Sequence, residues 1–270
     1  MPGSGRFPQT GKLADLVRQA AAGLCFGKDA VMTDLTNEHG QPIGAPLPGW
    51  AGAPHPGHTG MSGRYCRVEP LNADSHSMDL FEAYRQDSSG AIWTYVSYGP
   101  FETPAALDAW VQAASGVDAQ PYFAVINRDS GKAEGIASFL RIQPAHGVIE
   151  VGGITFAPAL QRTRAATEAM YLMMARVFND LGYRRYEWKC DALNAPSCRA
   201  AERFGFTYEG LFRQAIVYKG RNRDTAWYSV LDREWRSLEA AYQSWLEPAN
   251  FGPDGQQKQS LGTLIAAARR

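Results

Sequence analysis

Residues 154–169 of the chain read ITFAPALQRTRAATEA, and this stretch decides the fold. It begins at the end of a predicted strand, Val148–Phe156, and continues into a polar loop that contains two arginines. Apolar residues at helical spacing follow from Ala166 to Leu181, and Gly182 then ends the pattern. The stretch therefore predicts a strand, a loop and the first turns of a long helix.

This junction has the chemistry of a phosphate site. The first turn of a helix carries unpaired N–H groups and a partial positive charge, which favour a bound anion. Polar and basic side chains stand beside it, and two small residues let a ligand approach the backbone: Arg162, Thr163, Arg164 and Thr167, with Ala165 and Ala166. Taken alone, these residues fit a plain loop with solvated arginines equally well.

The surrounding pattern predicts a mixed α/β sheet. Short turn-like breaks imply an antiparallel meander up to residue 156, and strands then alternate with helices. A right-handed crossover through the long helix makes strands 148–156 and 185–190 parallel neighbours. The predicted strands are Arg64–Leu71, Tyr122–Asn127, Gly135–Ile142, Val148–Phe156, Arg185–Cys190, Phe206–Phe212, Gln214–Tyr218 and Thr225–Leu231; the predicted helices are His76–Gln86, Thr103–Ala114, Ala166–Leu181, Ala195–Phe204 and 233–246.

Three regions are expected along the chain. Gly and Pro clusters predict an extended, partly disordered arm over residues 1–60, with a short helix at 12–24. Residues 61–235 form the α/β domain, and residues 236–270 form a C-terminal helix and a frayed tail. Because Met32 and Met61 are possible alternative starts, we expect residues 1–31 to be dispensable.

Composition narrows the class of protein. The chain has 27 Lys plus Arg and 27 Asp plus Glu, so its formal net charge is zero. Nothing in this balance suggests bulk electrostatic capture of nucleic acid or of an anionic membrane. Since no window is apolar enough for a membrane helix or a secretory signal, we expect a cytoplasmic protein.

The cysteines and histidines give no metal pattern. The four cysteines form no Cys-x-x-Cys pair, and the five histidines form no helical pair with a nearby acid. We therefore expect no metal site. Cys190 and Cys198 fit small buried or half-buried residues of a reducing compartment better than a disulfide.

Three short motifs point to a known superfamily. Residues 161–166 read QRTRAA, residues 191–197 read DALNAPS, and residues 201–206 read AERFGF. Together they resemble the GCN5-related N-acetyltransferases, the GNAT superfamily, and in particular its ribosomal-protein N-terminal acetyltransferase-like branch. The first motif resembles the Gln/Arg-x-x-Gly-x-Gly/Ala signature of the superfamily. The second resembles its Asn-x-x-Ser pattern, and the third resembles its Glu-x-Leu-Gly-Phe pattern. Residues 209–210 and 223–229 also fit, and the resemblance covers roughly residues 61–235. The chain departs from the signature at Arg164, where a glycine is usual.

The resemblance implies a GNAT-like acyl-CoA N-acyltransferase fold, with acetyl-CoA as co-substrate and no metal. In that fold the phosphate-bearing strand splays from its parallel neighbour, and the pantetheine arm lies in the gap. It further implies that an acetyl group passes directly to a primary amine of a small molecule or protein N-terminus. The implied CoA-binding residues are Ile154, Thr155 and Phe156 for pantetheine, Arg162, Thr163, Arg164, Ala165, Ala166 and Thr167 for pyrophosphate, and Asn194 for the pantetheine arm.

Direct transfer needs a proton donor for the thiolate and a base for the amine. By resemblance Ser197 is the donor, and Glu150 is the first candidate for the base, with Glu187 and Asp191 as second candidates. Each has a simpler interpretation: Asn194 as a helix N-cap, Ser197 as a polar first-turn residue, Glu150 as a surface strand residue. Six aromatics could line an acceptor pocket or belong to the core: Trp93, Tyr95, Tyr98, Trp188, Tyr208 and Tyr218.

Two other functions are compatible with parts of the pattern. A catalytically silent acyl-CoA-binding module on the same fold would use the same cradle. A dinucleotide dehydrogenase is disfavoured because no Gly-x-Gly-x-x-Gly follows an early strand. A homodimer is possible, since dimers are common in the superfamily.

Overall fold

An eight-stranded mixed sheet organises the molecule, in the order β1-β2-β3-β4-β5-β6-β8-β7. The computed structural model describes residues 35–269. Every neighbouring pair of strands is antiparallel except β5 and β6, which are parallel as predicted. The strands are β1 Met61–Ser62, β2 Cys66–Pro70, β3 Tyr122–Asn127, β4 Ala133–Gln143, β5 Val148–Phe156, β6 Arg185–Asp191, β7 Thr207–Tyr218 and β8 Arg221–Leu231.

Six α-helices accompany the sheet over the described residues. They are α1 Ala73–Tyr84, α2 Pro104–Ala114, α3 Arg164–Ala175, α4 Ala195–Arg203, α5 Asp232–Leu246 and α6 Leu261–Ala268. A π-helical turn, Arg176–Asp180, continues α3. Side-chain caps start several of them, since Thr103, Thr163 and Asn194 each accept a hydrogen bond from the first turn of the following helix.

Two hydrophobic clusters hold the layers together. The larger contains residues of α3, α5 and the centre of the sheet, including Met173, Tyr186 and Tyr242, all almost fully buried. The smaller joins α1 and α2 to β3 and β4 through residues such as Leu80, Leu107 and Ile136. No helix in residues 35–269 is long and apolar enough to cross a membrane.

A buried carboxylate ties α3 to the far edge of the sheet. Glu168 accepts hydrogen bonds from the backbone N–H groups of Arg64, Tyr65 and Cys66 at 2.8, 2.6 and 2.8 Å. Gly63 lies so close to this carboxyl group that a Cβ at position 63 would clash with it. These contacts fix α3 relative to residues more than 100 positions away in the chain.

Several predicted boundaries differ from the structure. The long helix begins at Arg164, two residues early, because the Thr163 hydroxyl caps it. The two strands predicted over 206–218 form one strand, β7, with a register shift between Phe212 and Ile216. Gln214 has φ +50° there, and its N–H donates to the Asp224 carboxylate at 2.7 Å. In the sequence, a bulge interrupts the strand pattern in the same way as a boundary between two strands.

The expectation of a frayed C-terminal tail was wrong. Residues 261–268 form α6, and its Leu261 and Ile265 side chains are buried in the larger cluster. Ser260 caps the helix, so a short polar stretch precedes an ordered segment.

Residues 35–50 form a unit of their own by backbone contacts, separate from residues 51–269. Within it, Thr36 and Pro42 form an antiparallel bridge, and Asn37 accepts hydrogen bonds from His39 and Gln41. The helix predicted at 12–24 and the dispensable segment 1–31 lie outside the described residues.

Candidate active site

The parallel strands β5 and β6 part midway along their length. They pair from Val148↔Arg185 to Val151↔Trp188, and both strands then run on, to Phe156 and Asp191. Gly153 in β5 has φ +56°, and the β4–β5 register shifts beside it, between Ile136 and Ser138. A bulge of this kind bends its strand. The result is a gap between the two strands at the carboxyl end of β5.

The β4–β5 ladder determines which backbone groups face this gap. Ala157 N–H donates to Glu134 O at 2.9 Å, so Thr155, two residues earlier, also turns its backbone towards β4. By the same alternation Ile154 and Phe156 turn theirs towards the gap. The Phe156 carbonyl already accepts a hydrogen bond from Gln161 at 2.8 Å.

Thr155, which is predicted to hold pantetheine, has partners that the sequence did not indicate. Its backbone carbonyl accepts a hydrogen bond from the Tyr84 hydroxyl at 3.0 Å, and its own hydroxyl lies 2.9 Å from the Tyr98 hydroxyl. Tyr98 also donates to Gly153 O at 3.0 Å. The two tyrosines brace β5 from the side of α1, and Thr155 belongs to that brace.

The start of α3 lies at the end of β5, as predicted. The Thr163 hydroxyl accepts the Ala166 N–H at 3.1 Å, and Thr163 O accepts the Thr167 hydroxyl. Ala165 and Ala166 are small and buried. Helix geometry leaves the N–H groups of Arg164 and Ala165 without intrahelical acceptors, so they are available to an anion.

The two arginines of this loop behave differently. Arg162 has φ +64° and an exposed side chain at the turn into the helix. The Arg164 guanidinium lies 4.8 Å from the Tyr65 ring centroid and 5.0 Å from that of Phe251. Arg164 is thus held by cation–π contacts to two distant segments, which explains how a side chain fits where the family signature has glycine.

A third arginine was missed in the sequence. Arg203, at the end of α4, donates to the Thr167 hydroxyl at 3.1 Å, and burial lowers the pKa of its guanidinium. It brings a positive charge to the first turns of α3. Arg203 is 36 residues from Thr167 in the chain, so no sequence pattern indicates this contact.

The first turn of α4 brings Asn194 and Ser197 to the other side of the gap. The Asn194 carboxamide oxygen accepts the Ser197 N–H at 3.2 Å, as an N-cap does. The Ser197 hydroxyl accepts the indole N–H of Trp188 at 3.0 Å. Because an indole N–H only donates, the serine hydrogen is left for another acceptor, and the Cys190 sulfur lies within its hydrogen-bonding reach.

A buried ionic network lies on the strands beside the gap. Glu150 contacts Arg141 at 2.6 Å and Lys189 at 2.9 Å, and Lys189 also contacts Glu187 at 2.6 Å. Arg185 links Glu187 to Glu209. Glu150 is only 2% exposed, so the simpler interpretation as a surface residue was wrong. Burial raises the pKa of its carboxyl, against the opposing effect of Arg141 and Lys189.

Lys189 was also missed, although the sequence carried a signal. Glu187 and Lys189 alternate with Trp188 and Cys190, which places two charged residues on one face of a central strand. The Lys189 ammonium lies 3.6 Å from the centroid of the Trp227 ring, and the Lys189 side chain is 5% exposed. Alternation of this kind indicates a polar, functional face of the sheet.

Asp191 lies where β6 has left β5. It accepts hydrogen bonds from the Tyr218 hydroxyl at 2.8 Å and the Leu193 N–H at 2.9 Å. The segment around Tyr95 and Tyr98 contacts both sides of the gap. Tyr98 donates to Gly153 O in β5, and Tyr95 donates to Leu193 O after β6 at 3.1 Å. Of the six aromatics proposed for an acceptor pocket, Trp93 and Trp188 are buried, Tyr95, Tyr98 and Tyr218 are half-buried, and Tyr208 is exposed.

Comparison with known proteins identifies the family. The sequence matches the model of the acetyltransferase (GNAT) domain over residues 67–207, more than half of the chain. The chain belongs to the GNAT family of acetyltransferases. It is therefore an N-acetyltransferase, and the family uses acetyl-CoA as co-substrate.

Individual GNAT proteins agree with this assignment. A GCN5-related N-acetyltransferase from Brucella melitensis is 50% identical, with a TM-score of 0.80 over 82% of this chain and 100% of that one. The uncharacterized N-acetyltransferase YnaD of Bacillus subtilis is 28% identical over 58% of this chain and 90% of its own length. The microcin C7 self-immunity acetyltransferase MccE, solved with acetyl-CoA and AMP, shares the fold at 19% identity and a TM-score of 0.55, over 63% of this chain and 93% of that one.

Proposed function

We propose that this GNAT enzyme binds acetyl-CoA in the gap between β5 and β6 and acetylates a primary amine of a small molecule or of a protein N-terminus. One observation carries the proposal. The β5–β6 pairing ends at Val151↔Trp188 while both strands continue, and the starts of α3 and α4 follow the two strand ends. A gap between two strands with a helix N-terminus on each side suits a long ligand with an anionic end.

The residues of the chain fit such a ligand. The backbone of Ile154 and Phe156 offers hydrogen bonds to the pantetheine amides, because it faces the gap. The N–H groups around Arg164 and Ala165, with the charge of Arg162, take the pyrophosphate. Asn194 contacts the pantetheine arm from α4. Thr155 and the Arg164 side chain are left out of the contacts, since each already has other partners.

Bound acetyl-CoA supplies the activated acetyl group. Ser197 donates a proton to the departing thiolate, because Trp188 engages only its oxygen and its hydrogen can turn from the Cys190 sulfur to the substrate sulfur. Glu150 accepts a proton from the ammonium of the acceptor. Burial raises the pKa of its carboxyl, and a raised pKa favours uptake of a proton.

The proposal is tested with the full chain, acetyl-CoA and a panel of acceptors. The panel contains small primary amines, amino acids, peptides with a free N-terminus, and the same peptides with a blocked N-terminus. Mass spectrometry detects an acetyl group on the acceptor itself. We expect acetylation of a primary amine and none of the blocked peptides. Acetyl-CoA binding without any acetylated amine across the panel would contradict the proposal.

A further inference from the structure

Two cysteines meet beside the start of α4. The Sγ atom of Cys190, in β6, lies 3.6 Å from the Sγ atom of Cys198, in α4, and both are free thiols. An S–S bond is about 2.05 Å long, so an approach of roughly 1.5 Å would join the two atoms. The loop that such a bond closes contains Asn194 and Ser197.

The two thiols differ in their access to solvent. Cys198 is half-buried, whereas Cys190 is 6% exposed. Burial raises the pKa of the Cys190 thiol to about 12. An oxidant from solution therefore reaches Cys198 first, and Cys190 is placed to react second. Cys66 is a free thiol that is fully buried.

We propose that Cys190 and Cys198 form a dithiol that hydrogen peroxide converts into a disulfide, and that this disulfide disables the acetyl-CoA site. The Cys198 thiolate attacks one peroxide oxygen, which breaks the O–O bond and gives a sulfenic acid and hydroxide. The Cys190 sulfur then attacks the Cys198 sulfur and expels the second oxygen as hydroxide. The two thiol protons convert both hydroxides to water, so the dithiol loses two electrons and the peroxide gains them.

The disulfide acts on the site through the first turn of α4. The Cys198 N–H donates to Asn194 O at 3.0 Å, and the Ser197 N–H donates to the Asn194 side chain. Drawing the Cys198 sulfur towards β6 therefore moves the turn that carries both proposed site residues. This consequence rests on the proposed function of Asn194 and Ser197, whereas formation of the disulfide does not.

Trypsin offers a direct assay, because cleavage after Lys189 and Arg199 places both cysteines in one peptide, residues 190–199. The folded full chain is treated with hydrogen peroxide, free thiols are alkylated, and the digest is weighed. We expect this peptide to lose two hydrogens and escape alkylation, and dithiothreitol to reverse both changes. Since a displacement of about 1 Å can cost up to 10²-fold in rate, we expect acetylation to fall about tenfold or more.

Matched variants separate the two parts of the proposal. Cys198→Ser, or Cys198→Ala if the serine variant does not fold, should keep its activity in peroxide. The proposal would be overturned if that variant lost its activity in peroxide. It would also be overturned if peptide 190–199 gained oxygen and did not lose hydrogen, or if the disulfide formed and left acetyl-CoA affinity and rate unchanged. Absence of acetylation before oxidation would count against the proposed function alone, because the mass assay needs no turnover.

Discussion

The Ser197 hydroxyl is held by Trp188, whereas the Asn194 cap holds the Ser197 backbone, which Ser197→Ala leaves in place. We expect Ser197→Ala to lower kcat by about 10²-fold, the range typical of a lost general acid. The dissociation constant of acetyl-CoA should change less than the rate. Steady-state kinetics and calorimetry measure the two quantities.

The matched control is Ser244→Ala, which makes the same change on the exposed side of α5. It should leave both quantities unchanged. If Ser197→Ala turned over at the rate of the unaltered enzyme, Ser197 would have no place in the mechanism.

If Glu150 is the general base, kcat/KM depends on pH and rises as this carboxyl loses its proton. A general base acts when it is deprotonated, and burial raises the pKa of this carboxyl. We therefore expect kcat/KM to rise with pH through a value above ~4.3, the usual pKa of glutamate. Glu150→Gln should remove this limb and lower kcat/KM by about 10²-fold.

Glu209→Gln is the control for that profile, because it changes the same network at its far end, beyond Arg185. Its acidic limb should persist. If Glu150→Gln kept the acidic limb, another group would be the base, with Glu187 and Asp191 as the second candidates.

Sequence reasoning at this scale succeeded where the partners are local. Asn194 caps the helix that it immediately precedes, and Ser197 lies in that first turn. It could not reveal the contacts of Thr155 and Arg164, whose partners Tyr84, Tyr65 and Phe251 come from distant segments. Only the folded chain brings those side chains together.

At the scale of elements, the N-terminus of α3 is the proposed anion site, and Arg162 is its exposed charge. We expect Arg162→Glu to weaken acetyl-CoA binding about tenfold, or ~1.4 kcal/mol, because the change replaces attraction to the pyrophosphate by repulsion. Calorimetry at low ionic strength measures the effect, and added salt should reduce it.

Arg236→Glu repeats this charge change on exposed α5 and serves as the control. It should bind acetyl-CoA normally. Equal dissociation constants for Arg162→Glu and the unaltered enzyme would exclude that side chain from the cradle.

The tyrosine brace on β5 can be tested through stability. Tyr98→Phe removes the donor to Gly153 O and the partner of the Thr155 hydroxyl. Leaving such groups unsatisfied costs ~1–3 kcal/mol, so the free energy of unfolding should fall by about that amount in urea titrations. Tyr95→Phe, whose hydroxyl has one partner, should lose less. If the two variants lost equal free energy of unfolding, the hydrogen bonds of Tyr98 to β5 would contribute no more stability than the single bond of Tyr95.

The strength of the local pattern determined which elements could be predicted. Strands Tyr122–Asn127 and Val148–Phe156 agree with prediction at both ends, since turn residues or a polar loop bound them. The bulge at Gln214 and helix α6 could not be predicted, because a distant carboxylate and a distant core stabilise them.

At the scale of the whole molecule, Glu168 connects the helix layer to the edge of the sheet. Glu168→Ala would leave three backbone N–H groups without their acceptor. We expect a loss of ~3 kcal/mol or more in the free energy of unfolding, measured by urea denaturation. Gly63→Ala should also destabilise the fold, because its Cβ would meet the same carboxylate.

Glu102→Ala, at an exposed site, is the control and should unfold as the unaltered protein does. A loss below 1 kcal/mol in Glu168→Ala would mean that water replaces the carboxylate easily.

The topology could be predicted because few connections are physically allowed. A strand, a long helix and a second strand follow one another in the sequence, and a right-handed crossover through that helix makes β5 and β6 parallel neighbours. The ionic network could not be predicted, since it joins Arg141, Glu150, Lys189 and Glu209 from four strands whose register the sequence does not reveal.

The three hydrogen bonds between Glu168 and the backbone of residues 64–66 affect the free energy of acetyl-CoA binding. Glu168 belongs to the second turn of α3, so it immobilises the helix end that is proposed to receive the pyrophosphate. Ordering a backbone residue costs ~1–2 kcal/mol, and here that cost is met when the chain folds. The cradle is thus preorganised, and affinity for the cofactor is not reduced by a disorder-to-order transition of its backbone.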